Sequence, residues 1–276
     1  MRRALFSVAL GLLLTASCAK SSKLSVQKGS ELAGELKKAA DSDVQEVRRG
    51  LPEGAKQLAA LYRREAPPQD DVKQVRDALE RARNKVQDLR VAKSTFFALA
   101  DLDGTVIRND REQDQMAGKG LFKAFPELRK ATSGAYVETR GVMPEAAERR
   151  GAPDGQWVSA QPVLVDGKPR GLYVTGWSWS AYAYRLENAA RSVVRSESKE
   201  PLVYVYLVVG DAVYGAPTSP DVNANAIQEQ KPLDKLQGDA PFTAELEITG
   251  RDFGLAVRAA PALGSDVAIA VLRSET

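Results

Sequence analysis

The chain of 276 residues carries 39 basic and 36 acidic side chains, no histidine and one cysteine, with 43% hydrophobic and 27% charged residues. That is the composition of an ordinary globular protein with room for one core or two small ones, and a net charge of +3 is too balanced to point to nucleic acid or an acidic substrate. The absence of histidine removes the imidazole base of a serine or cysteine triad and the usual zinc ligand sets, and a single cysteine excludes a disulfide within the chain.

The first element is a leader. "MRR" is a basic start, "ALFSVALGLLL" is an apolar stretch too short to span a bilayer, and "TASC" brings small residues up to Cys18. This resembles a bacterial lipoprotein signal, which implies cleavage of residues 1–17 and acylation of Cys18; a plain secretory peptide cut nearby is the alternative. Ala19 and Lys20 follow with no aspartate, which by the sorting pattern of enteric lipoproteins implies the outer membrane, facing the periplasm. The expected membrane contact is therefore through lipid on Cys18, since the longest later apolar run, "PLVYVYLVV" from Pro201, is far below spanning length.

A lipidated tether and helical stalk are expected over 18–93. "AKSSKLSVQKGS", residues 19–30, reads as a solvated spacer. Leu32, Leu36, Ala39, Ala40, Val44 and Val47 fall at helical spacing until "GLPEG" from Gly50 punctuates the pattern, and a short helix holds Leu58, Leu61 and Tyr62. Val72, Val75, Leu79, Ala82, Val86 and Leu89 then alternate steps of three and four, as in a helix lying on its own domain or in a short coiled coil.

From Ser94 the period changes to that of strands. Phe96–Ala100 and Thr105–Asn109 flank "DLDG", and "QWVSAQPVLV" and "PRGLYVTGW" flank Asp166-Gly167, so two antiparallel hairpins are expected. Between them lie polar "RNDREQDQMAGKG" and amphipathic "LFKAFPELRKA". Trp179, Tyr182, Leu186, Ala190 and Val193 make one face of a helix capped by Ser178. The remainder repeats the plan: "LVYVYLVV" and "AVYGAP" around Gly210-Asp211, a short helix at "DVNANAIQEQ", then strands at "FTAELEI", "FGLAVRAAP" and "DVAIAVLR". The fold class is α+β, with a first unit over 94–199, including its connecting helix, and a smaller second unit over 200–276.

Two resemblances compete for function. "DLDGT" from Asp101 is similar to the nucleophile motif of the haloacid dehalogenase superfamily, which implies Asp101 as nucleophile and Asp103 as acid/base of a phosphatase. That family needs parallel strands joined by helices, whereas the Asp-Gly turns read as antiparallel hairpins, so the aspartates are expected to be turn residues and the protein no enzyme. The strings "FALADLDGTVIRND", "AGKGLFKAFPELRKATSG" and "WVSAQPVLVDGKPRGLYVTGWS", in that order, resemble extracytoplasmic Cache domains, the PAS-like sensors of bacteria. The resemblance rests on Asp103, Gly104, Gly118, Pro126, Gly134, Pro162, Asp166, Gly167 and Gly171, and the long N-terminal helix before two units is similar to the double-Cache layout. The family's amino-acid-binding signature is missing from the chain.

The Cache resemblance implies a small-molecule site in the first unit. Arg108, Asp110, Tyr136, Arg140, Trp157, Tyr173 and Trp177 would give aromatic walls with a guanidinium and a carboxylate, suited to an amino acid or organic acid. The plainer reading of the three large aromatics is core packing, and of Arg108 and Asp110 a surface pair at a strand end. No cofactor or metal is expected. The competing class is an envelope lipoprotein that uses PAS-like units only to bind a protein partner.

Overall fold

Turn chemistry sets the strand pairing. In the computed structural model, which describes residues 6–65, 67–147 and 154–275, with only the backbone up to residue 22, the strands β1 (Phe96–Ala100) and β2 (Val106–Asn109) pair antiparallel across the Asp101–Thr105 turn. Strands β4 (Gln156–Val165) and β5 (Lys168–Ser178) pair across Asp166-Gly167, both at positive φ of 51° and 76°, the geometry that closes a two-residue hairpin. With β3 (Val137–Gly141) they form a five-stranded antiparallel sheet in the order β2-β1-β5-β4-β3.

The second sheet has the same order. Strands β6 (Leu202–Val209), β7 (Ala212–Gly215), β8 (Phe242–Ile248), β9 (Arg251–Ala259) and β10 (Val267–Ser274) are arranged β7-β6-β10-β9-β8, again all antiparallel. The expected α+β class and the duplicated architecture are both present. β3 is the strand that periodicity misses. Its "VETRG" has no apolar alternation, because each of its residues is only half-buried.

The helices are α1 (Phe6–Leu58), α2 (Val72–Lys85), α3 (Gln87–Val91), α4 (Leu121–Ala124), α5 (Trp179–Val194), α6 (Asp221–Glu229) and α7 (Pro232–Lys235). The described residues divide into two compact units, one between Asp41 and Tyr182 around the first sheet and the other up to Ala40 and from Ala183 onward around the second. The leader and Cys18 lie outside the residues whose side chains are described.

Two expectations about α1 are corrected. Lys23–Ser30 are helix rather than spacer, and Ser25 is buried because β9 passes it closely: a Cβ added at Gly254 would lie 2.4 Å from the Val26 nitrogen. "GLPEG" does not end the helix either, since α1 runs through Pro52 to Leu58. Its glycines are a packing surface. A Cβ at Gly50 would sit 2.7 Å from Leu89 Cδ2, and one at Gly54 would sit 2.6 Å from both Leu89 Cδ1 and Tyr173 Cε1.

The apolar stripe of α2 and α3 is used within its own unit. Val75, Leu79, Ala82 and Leu89 are buried and α2 packs on β1 and β2, while Val72 is exposed and Val86 is an extended residue that breaks the two helices apart. On α5, Trp179, Tyr182, Leu186 and Ala190 are buried as expected, but Val194 rather than Val193 completes the face, four residues beyond Ala190. Ser178 Oγ accepts from the Ala181 N–H at the start of that helix, as an N-cap does.

The seat of α1 yields a prediction with an inverted sign. Gly→Ala in an open helix interior stabilises by about 1 kcal/mol. Gly54→Ala should instead destabilise by about 1–3 kcal/mol, because the added methyl has no room beside Leu89 and Tyr173. Urea unfolding of the variant checks this, and a raised midpoint would show that the helix does not approach the sheet so closely.

Candidate functional site

The DLDG turn holds its own carboxylate. Asp101 Oδ1 accepts the N–H groups of Asp103 (3.0 Å) and Thr105 (2.8 Å), and β1, which delivers it, is antiparallel to both neighbours. Asp101 is thus the acceptor of an Asx-type turn, and Asp103 is exposed beside it. The parallel strand that a dehalogenase-type nucleophile needs is not what β1 provides.

In an antiparallel sheet, paired residues share a face. Leu99 pairs with both Arg108 and Tyr173, Trp177 with Trp157, and Trp157 with Arg140, so these sequence-predicted residues lie on one side of the first sheet. Helices cover that side. Gly54 approaches Tyr173, Arg48 of α1 makes a two-point bond to Glu138 (2.7 and 2.8 Å), and Arg83 of α2 pairs with Asp110 (3.3 Å) and stands over the Phe97 ring.

The aromatics pack mainly against one another. The Trp157 and Trp177 rings stack at 4.4 Å, Trp177 stacks on Tyr182 at 4.7 Å, and Tyr173 lies against Phe97 at 5.9 Å, with Trp157, Trp177 and Tyr173 at most 1% exposed. The Tyr182 hydroxyl donates to Asp43 of α1, and burial pushes its pKa well above the usual phenol range. Tyr136 donates to Glu138, which Arg48 also holds.

The two charged candidates are engaged as well. Arg108 pairs with Asp114 (3.0 Å) and donates to the carbonyls of Arg111 and Glu112, tying down the loop after β2. Asp110 accepts from the Phe97 N–H at 2.9 Å; burial raises its pKa, and that N–H and Arg83 oppose the rise. Arg140 is half-buried on β3 opposite Trp157. The opposite side of the sheet, under the 110–147 segment, is filled by Met116, Leu121, Phe122, Phe125, Leu128 and Met143 packed on Phe96, Ala98, Val158 and Val174.

Open space is found in the other unit. A groove of about 750 Å³ runs between α1, the end of α5 and the helix-facing side of the second sheet, where Arg258 and Arg273 project. Arg273 is 1% exposed and bonded at all three nitrogens: Glu197 takes both terminal nitrogens (2.9 and 2.7 Å), and Glu275 takes Nε (2.7 Å). Lys28 of α1 adds a third contact to Glu197 at 2.6 Å.

Arg258 differs from Arg273. Its Nη1 donates to the Asp239 carbonyl at 2.9 Å, and its buried Nε has no partner. Neither arginine was among the expected site residues. The available signal was a cation inside each of two otherwise apolar strands, "FGLAVRA" and "VAIAVLR", since burying a charge is costly unless it is paired.

A second cavity of about 550 Å³, beside the β6–β7 turn, is lined by Asp211, Asp234, Asp266 and Lys231. Among the described residues no group of three or more histidine, cysteine or acidic side chains is placed to hold a metal ion. No helix of the described residues is long and apolar enough to cross a membrane.

No protein-family model and no curated protein matches the chain. Solved structures do. The chain is similar to the extracellular domain of vpHK1S-Z8, a protein described as a histidine kinase, with 93% of each chain covered, 10% identity and a TM-score of 0.62. It is also similar to a domain of a protein from Vibrio parahaemolyticus described as of the sensory box/GGDEF family, covering 93% of this chain and 98% of that one at 9% identity and a TM-score of 0.61. The ligand-binding domain of the amino acid chemoreceptor PctB of Pseudomonas aeruginosa PAO1, in complex with L-Arg, matches over 90% and 95% at 20% identity and a TM-score of 0.50. The fold is therefore the Cache-like, PAS-like α+β fold of extracellular sensor domains, with two sheets.

The Glu197 cluster gives the unit a calculable acid response. Bonds from Arg273, and then Lys28, hold the Glu197 carboxyl down at about 2, against an ordinary 4.5. A depressed carboxylate stabilises the fold fully above its unfolded pKa, and that stability is lost as pH falls from about 4.5 through 2. Wild type should thus lose urea resistance between pH 5 and pH 2.5 more steeply than Glu197→Gln, which starts lower at pH 7; parallel pH profiles for the two proteins would contradict this.

Proposed function

We propose that the protein is a non-enzymatic, extracytoplasmic binding module of sensor type, held at the outer membrane by lipid on Cys18 and facing the periplasm. The observation that carries this reading is the fold shared with extracellular sensor domains over nearly the whole chain. The leader "ALFSVALGLLLTASC" supports export and anchoring. The groove at Arg258 has the size of a small-molecule site, for which about 300–1,000 Å³ is usual, and that supports a ligand such as an organic acid or amino acid.

The first unit supports the reading less directly. A ligand reaching the seven sequence-predicted residues would have to part α1 and α2 from the sheet, since those helices cover Tyr173, Asp110 and their neighbours. One observation favours a second reading, a module that binds only a protein partner: the loop side of the first sheet is filled by its own phenylalanines and methionines.

Two measurements test the proposal. Wild type should incorporate labelled palmitate and fractionate with membranes, while Cys18→Ser should be unlabelled and soluble outside the cytoplasm; an unlabelled wild type, or a variant that stays with membranes, would remove the anchor. A thermal-shift screen of amino acids and small carboxylates should return at least one compound that raises the melting temperature in a dose-dependent way. A broad screen without any hit would favour the protein-partner reading.

A further inference from the structure

Arg258 and Arg273 lie on the same side of the second sheet, four residue pairs apart along the β9–β10 ladder. Arg258 pairs with Ile269 and Arg273 with Gly254, so both side chains face α1. Their surroundings differ in one respect that matters. Arg273 has a carboxylate at Nε and a carboxylate across its two terminal nitrogens. Arg258 is half-buried and has a neutral carbonyl at Nη1 and nothing at Nε, and it takes part in none of the ion pairs among the described residues. Nε is enclosed against Gly34, so a ligand in the groove meets the part of the guanidinium that lines it, and the chemistry a guanidinium binds there is a carboxylate.

Helix α1 packs on the enclosed edge of that guanidinium. Gly34 of α1 faces the guanidinium, and a Cβ added there would already stand 3.6 Å from Nε and 3.9 Å from Cζ. Any longer side chain would lie across the groove at that point. The groove lining holds five basic residues, Lys28, Lys37, Lys38, Arg258 and Arg273, against Glu31, Glu35, Glu197 and Asp239, and with Glu275 on Arg273 the charges balance, leaving Arg258 as the guanidinium outside the ion pairs among the described residues. Leu32, Val193 and Val194 add an apolar strip. Resting on the binding-module reading above, we infer that the groove between α1, α5 and β9 is a site for a small aliphatic monocarboxylate, whose carboxylate is held by Arg258 and whose tail lies on Leu32, Val193 and Val194.

The test measures melting temperature of the purified full chain with butyrate, with butyramide as its neutral isostere, and with chloride at matched ionic strength. The site predicts a dose-dependent rise with butyrate, none with butyramide and none with chloride. In Arg258→Ala the apparent affinity should fall roughly tenfold to hundredfold, as expected for losing a charge-assisted bond. Gly34→Leu, which keeps the arginine and closes the groove, should abolish the response; this second variant decides the matter should Arg258→Ala fail to fold. Arg108→Ala should leave the response unchanged.

A butyrate response that survives in a folded Arg258→Ala or in Gly34→Leu overturns the site, as does an equal response to butyramide or chloride. Loss of the response in Arg108→Ala alone would move the site to the first unit. Hits confined to compounds without a carboxylate overturn this inference and leave the binding-module reading standing, whereas no hit with any compound overturns both.

Discussion

The structure depends on how closely one helix is allowed to approach two sheets. α1 presents Gly50 and Gly54 in the unit of the first sheet, where an added Cβ would collide with Leu89 and Tyr173 at 2.6–2.7 Å, and Gly29 and Gly34 in the unit of the second, where it would make ordinary contact at 3.6–3.7 Å. Within the second-sheet unit the strand reciprocates, because Gly254 lets β9 pass the backbone at Ser25 and Val26. Close packing of this kind is sensitive to single methylene groups, so glycine at positions 50, 54 and 254 is a steric requirement rather than a device for flexibility. From it follow the burial of Ser25 beside Gly254 and the closure of the helix-facing side of the first sheet at Leu89 and Tyr173.

The same strand order, used twice, gives different results on its helix-facing sides. In the first-sheet unit that side carries Trp157, Trp177 and Tyr173, large rings that fill the space and stack with Tyr182 and Phe97. In the second-sheet unit it carries arginines, and long charged side chains cover apolar surface without closing it. Arg273 is immobilised by Glu197 and Glu275 and acts as a post, while Arg258, four residues along β9 from Gly254, has a donor without a partner. Filled and open versions of one architecture therefore differ in side-chain chemistry, not in topology.

Much of this was legible in the sequence. Asp166-Gly167 and the DLDG turn located their hairpins because Asp-Gly at those positions has few other uses, and the alternating runs of the second half located its strands. The Gly and Pro of "GLPEG" misled because the same residues serve as breakers and as close-contact surfaces, and only the partner, here Leu89 and Tyr173, tells the two apart. β3 escaped because a half-buried strand such as "VETRG" has no apolar face to announce it. The candidate site was chosen by residue type, and Arg108, Trp157, Tyr173 and Trp177 lie on one side of one sheet. What it could not supply was their partners: Asp114 for the guanidinium, and the rings themselves for one another. Arg258 and Gly34 become neighbours only through the tertiary fold.

The central claim is that α1 is a core element of the fold from Ser25 onward, not a tethered stalk. Hydrogen–deuterium exchange of the full chain tests it most directly. The amides of residues 27–40 should exchange as slowly as those of β10, because both open only when the second-sheet unit unfolds. Exchange of residues 27–30 at the rate of an unprotected chain, with β10 still protected, would contradict the account.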